Sequence, residues 1–290
     1  MLLYEKITRK LQMTNGFTYQ SDSYGRESQR FVIPLYYKDS LGNYEFSSTA
    51  TLLKYKGAHY FAFAAHALSN VLNVSDFYIF GSDGEFYAIS DIAIGYRVFE
   101  DKDIVIVDCF NQVLDGKNYF DISESSMLGF DKKHFAWTGF PSSKCKAKKI
   151  HNSKSSETLR NQFVHEEENN LYFKSAQYFT IVSKVRGNNK QFITGIYERK
   201  NQSLKYKGNV SMAPSPQGMS GGAMYFFSKG QTLKNNLSET FRFAGIGIEH
   251  KKDNTIVGVS RDMIINLIDQ FTEEEPVQFS LVDEKVETQA

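Results

Sequence analysis

A serine with glycine on both sides, Gly218-Met219-Ser220-Gly221-Gly222, is the segment of this chain best suited to covalent chemistry. A glycine ahead of the serine adopts backbone angles closed to other residues and can aim N–H groups into a pocket. The two behind it let another chain approach with no Cβ in the way. The same composition also makes an ordinary turn. A serine hydroxyl is a weak nucleophile at neutral pH unless a base stands within hydrogen-bond reach and a further group orients that base. Of the histidines, His66 is the candidate base, because it closes the apolar run FAFAAHAL, where the end of a rigid strand can point a ring into a cleft. Its plainer reading is a half-buried histidine bonded to a backbone carbonyl. Asp103 is the candidate orienting carboxylate, at the start of DIVIVDCF, with Asp108 at the far end of that strand and Asp101 in the preceding turn as alternatives. A carboxylate at the edge of a core strand can be partly buried yet hydrogen-bonded, as holding an imidazole in one tautomer requires.

The elements that must position these residues read as almost all β. RFVIPLYYK is rich in β-branched and aromatic residues, STATLLKYKGAHYFAFAAHAL gives two strands joined at Lys56-Gly57, and DFYIFGSDGEFYAI repeats that plan around Asp83-Gly84. A second block runs from KHFAWTGFP to NTIVGVS, and residues 110–133 between the blocks read as a polar crossover. Residues 152–170 read as an exposed insertion. Ser260 is placed to cap a C-terminal helix with apolar residues at Met263, Ile264, Leu267, Ile268 and Phe271. The pattern predicts an all-β fold of two packed six-stranded β-barrels with short terminal helices. The divisions are an N-terminal segment 1–29 with helical spacing at Leu2, Leu3, Ile7 and Leu11, a first barrel 30–125 carrying His66 and Asp103, a second barrel and helix 126–271 carrying Ser220, and an acidic tail 272–290.

Composition narrows the partners. Lys+Arg 34 against Asp+Glu 33 leaves a net charge of +1, which marks neither nucleic acid nor an acidic membrane surface. The basic run Lys144-Cys145-Lys146-Ala147-Lys148-Lys149 reads as an edge strand blunted with lysines rather than a nucleic-acid patch. Two cysteines, Cys109 and Cys145, are too few for a disulfide framework and are expected to be reduced thiols. No apolar run has the length of a signal peptide core or a membrane span, so a cytoplasmic protein without a membrane partner is expected. No His-x-x-x-His or Cys-x-x-Cys pair suggests a metal, and no cofactor is expected.

Taken together, Ala64-Ala65-His66, Asp103-Ile104-Val105 and Gly218-Met219-Ser220-Gly221-Gly222 resemble the His, Asp and Ser motifs of the chymotrypsin/trypsin-like serine proteases, in that family's order. Thr138-Gly139-Phe140-Pro141 is similar to the turn opening the second barrel in bacterial members, and Phe243-Ala244-Gly245-Ile246-Gly247-Ile248 to the strand lining the primary pocket. The resemblance covers roughly residues 30–271. It implies a serine endopeptidase in which Ser220 attacks the scissile carbonyl, His66 carries the proton, Asp103 holds His66, and the N–H groups of Gly218 and Ser220 form the oxyanion hole. Gly245, Gly247, Glu249 and His250 would then face the substrate, a protein or peptide. Met219 stands where zymogen-activated members have an aspartate, so the resemblance is to intracellular bacterial or viral-type members, regulated by a local latency or a protein partner. The Gly-x-Ser-x-Gly elbow of α/β-hydrolases fits the same five residues but fails on order, since only His250 follows Ser220. The competing expectation is a catalytically silent protease-like domain that binds protein or nucleic acid.

Overall fold

The computed structural model of the chain describes residues 12–13, 17–18, 21–124, 126–145, 149–167, 170–201, 203–206, 209–230, 233–273 and 277–279. The helix expected over Leu2–Leu11 lies outside the described residues. Strands form where β-branched and aromatic residues concentrate, and they gather into two curled antiparallel sheets that form half-barrels, joined by a few short helices. This is the two-barrel all-β architecture that the sequence predicts.

The first sheet is built from β1 (Val32–Lys38), β2 (Tyr44–Tyr55), β3 (Ala58–Ala64), β4 (Phe77–Phe80), β5 (Phe86–Ala88), β6 (Gly95–Phe99) and β7 (Ile104–Phe110), in the order β6-β7-β3-β2-β1-β4-β5. Short pieces extend it. Phe120–Asp121 pairs parallel with β2, Lys149–Ile150 pairs antiparallel with β2, and Val277–Gln278 pairs antiparallel with β6. The second sheet contains β8 (Phe130–Gly139), β9 (Phe179–Lys184), β10 (Phe192–Ile196), β11 (Gly222–Ser228), β12 (Phe241–His250) and β13 (Thr255–Ser260), in the order β9-β8-β11-β12-β13-β10, with Gly187–Asn188 at the far edge. Six longer strands thus make up the second sheet, whereas the first has seven.

Strand alternation divides each sheet between two cores. On β7, Val105 and Val107 enter the interior of the first half-barrel with Phe61 and Phe63, while Ile104 and Ile106 turn to the layer between the sheets. On β11, Met224 and Phe226 enter the second half-barrel with Phe135 and Trp137, and Ala223, Tyr225 and Phe227 join the shared layer. Among the described residues, the longer helices are α1 (Ser21–Ser28), α2 (Ser156–Phe163) and α3 (Arg261–Glu273), with a single helical turn at Ile89–Ile92. Tyr24 of α1 packs edge-on against Phe227 and Phe241, an order the polar run 13–29 does not suggest. Leu159 and Phe163 of α2 are buried, so the stretch read as an exposed insertion contributes one apolar helix face. Ser260 Oγ accepts from the Met263 N–H at the start of α3, as its position predicts. Val277–Gln278, inside the acidic tail, is a strand. Among the described residues, no helix is long and apolar enough to cross a membrane.

Candidate active site

The register of β3 on β7 brings His66 and Asp103 together. Ala64 opposite Ile104 is the last pair of that ladder, so the residues just beyond it on both strands meet at one end of the sheet. Asp103 closes a short 3₁₀ turn in the left-handed conformation, φ +55°, which aspartate tolerates better than most residues. Held this way, it meets the chain at three points. Its carbonyl accepts from the Ala65 N–H (3.0 Å), one carboxylate oxygen accepts from the His66 N–H (2.8 Å), and the other lies 2.7 Å from His66 Nδ1. The imidazole is thereby fixed in position, with Nδ1 committed to the carboxylate and Nε2 left to act. The His66 pKa is raised, first by the hydrogen bond to Asp103, against the opposing effect of burial, and then by the charges of Asp103 and Glu249. Asp101 pairs with Lys102, and Asp108 accepts from the Phe110 N–H at the other end of β7; neither is bonded to His66.

Ser220 is set by two successive turns. Met219 N–H donates to Pro216 O and Gly222 N–H to Met219 O, and the third residue of each turn has positive φ, Gly218 at +88° and Gly221 at +85°. Substitution would be blocked in both places by sterics as well as by dihedral angle. A Cβ on Gly221 would lie 2.0 Å from Thr49 O, and one on Gly218 would lie 2.6 Å from Ser142 Oγ. The turns are fastened to the first sheet. Thr49 donates its N–H to Ser220 O (3.2 Å) and its hydroxyl to Gly218 O (2.8 Å), and the Thr51 hydroxyl donates to Gly221 O (2.7 Å). Gly221 also packs against Phe63 and Ala64, two residues before His66. Ser220, on the second half-barrel's chain, is therefore seated at the strand end that carries His66.

The Gln217 carbonyl accepts from the Ser142 N–H (2.8 Å), and because the peptide is trans the Gly218 N–H points the opposite way. Among the described residues, neither the Gly218 nor the Ser220 N–H has a hydrogen-bond acceptor. Two donors flanking a serine can stabilise negative charge that develops on an acyl oxygen. The Ser220 hydroxyl itself donates to Ile248 O (3.1 Å).

No protein-family model matches the chain, and no curated protein matches it. The chemistry of the site therefore rests on its own residues.

On the strand read as pocket-lining, Gly245 and Gly247 are buried in the sheet. A Cβ on Gly245 would meet Val259 O, and one on Gly247 would meet the Trp137 indole, so these glycines make room for neighbouring core groups. Glu249 is exposed, with Lys251 3.9 Å away, and His250 Nε2 lies 3.1 Å from Tyr197 O. Thr49, Thr51 and Ser142 are residues that the sequence does not single out. The one available signal was a pair of hydroxyls, Thr49 and Thr51, at alternate positions of an apolar strand, since a buried hydroxyl needs a partner.

Proposed function

We propose that this protein is a serine endopeptidase of the chymotrypsin-like type. The observation that carries the reading is the two-point grip of Asp103 on His66, through the backbone N–H and Nδ1, at the strand end against which the Ser220 turns are packed. In this reading the Ser220 hydroxyl turns from Ile248 O toward His66 Nε2, gives up its proton there and attacks the carbonyl carbon of a peptide bond. Asp103 stabilises the imidazolium that results. The Gly218 and Ser220 N–H groups receive the oxyanion, an interaction worth about 3–4 kcal/mol per donor in other hydrolases. His66 then returns the proton to the leaving amine, and water repeats the sequence on the acyl-enzyme. The buried cysteine thiols fit a reducing compartment, and the reading puts the protein in the cytoplasm of a bacterium.

One observation favours a silent binding domain instead: the Ser220 hydroxyl is bonded to a backbone carbonyl. Labelling with a fluorophosphonate, with mass mapping of the adduct, decides between the two. The expected result is a single adduct on Ser220, lost in Ser220→Ala and reduced at least about a hundredfold in His66→Ala. A folded protein that stays unlabelled, alone and with candidate activators, is a binding domain, and an adduct on another serine overturns the assignment.

A further inference from the structure

Away from this site, a cavity of about 330 Å³ opens between β1, the end of β4 and the loop 112–117. Its walls are mostly apolar, with Ile33, Ile79, Phe80, Ile92, Val113 and Phe173 contributing, and Lys117 forms part of the lining. The Lys117 amine donates to Val32 O (3.1 Å) and sits 4.9 Å from the centre of the Phe173 ring. Among the described residues, no carboxylate lies within ion-pair distance of it, although Asp83 and Asp115 also line the cavity. Those two carboxylates accept instead from hydroxyls, Asp83 from Tyr87 and Asp115 from Ser82. Lys117 is half-buried, and an ammonium withdrawn from water without a counter-charge is costly, which lysine resolves by releasing its proton. Burial first, and the nearby Arg30 charge second, push the Lys117 pKa down to about 7. A substantial share of Lys117 is then free amine at neutral pH, against about one in a few thousand for an exposed lysine.

We propose that Lys117 is an amine nucleophile and that its cavity takes small neutral carbonyl compounds, aldehydes or ketones with an apolar body, which it holds as an imine. A neutral amine can donate one N–H to Val32 O and keep its lone pair for attack. The lone pair adds to the carbonyl carbon while the oxygen gains a proton. The carbinolamine then loses water to leave a C=N bond between ligand and Lys117, with no oxidant or reductant required. The carboxylates in the lining favour this class over an organic anion, because Asp83 and Asp115 would repel a second negative charge but not a neutral carbonyl.

The test uses the full chain with benzaldehyde at neutral pH, trapping by cyanoborohydride and peptide mass mapping. The expected result is a benzyl adduct on Lys117 at least about tenfold above that on any other lysine, absent at this position in Lys117→Arg. As pH falls toward 7, labelling of exposed lysines should drop about tenfold per unit while Lys117 labelling holds. Labelling spread over the lysines as in the urea-unfolded chain would overturn the proposal. So would selective protection of Lys117 by benzoate but not by benzyl alcohol, which would mark an anion site. If Lys117→Arg does not fold, the wild-type map and pH profile decide the question without it.

Discussion

At His66, burial works against the imidazolium while the carboxylates of Asp103 and Glu249 work for it, and the carboxylates prevail. The sign of the pH dependence follows. Only the neutral ring can take the serine proton, so hydrolysis should fall as pH drops through a pKa above the ordinary value of about 6.5. NMR titration of the ring should place that pKa above the free value, with Asp103→Asn bringing it down and Glu249→Gln bringing it down less. Asparagine tolerates the left-handed backbone at position 103, so this variant removes charge without imposing strain. The stability contributed by the pair is fully present below about pH 6.5 and is lost as pH rises through the folded pKa. The His66–Asp103 pairing was legible in the sequence only as a choice among three aspartates. The choice depends on a 3₁₀ turn over Glu100–Lys102 that puts Asp103 beneath the His66 N–H, and no spacing rule encodes that turn.

Strands were the most legible elements, because their β-branched and aromatic runs are long and alternate cleanly. Helix α1 escaped notice. Its sequence SDSYGRES is polar, and what orders it is the seating of Tyr24 on Phe227 and Phe241, contacts some two hundred residues away. The role of β2 was hidden for the same reason. Thr49 gives its N–H and hydroxyl to the Ser220 turns and accepts from the Phe140 N–H (2.9 Å), so one residue ties β2 to those turns and to the end of β8. Thr49→Val keeps the shape but leaves a buried N–H and a carbonyl unpaired, which should cost about 1–3 kcal/mol in urea unfolding. It should also lower kcat more than it raises KM, since the residue positions the turn rather than touching substrate. Equal loss of stability with unchanged kcat would show that the turn holds without it.

For the molecule as a whole, the layer between the two sheets joins the parts of the proposed triad that belong to different half-barrels, His66 and Asp103 on one and Ser220 on the other. The first sheet is open at β6, and there the chain returns from the far side of α3: Val277 pairs with Tyr96, Gln278 with Gly95, and the rings of Tyr96 and Phe279 lie 5.0 Å apart. A stretch of three residues thus occupies hydrogen-bonding positions that would otherwise be available to any passing strand. Its consequence is colloidal. A chain ended after Glu273 should retain its fold, yet light scattering should show it associating with rising concentration while the full chain stays dispersed. Adding a charge at the uncovered rim, as in Tyr96→Lys, should restore dispersion, so that Val277–Phe279 serve as a guard against aggregation.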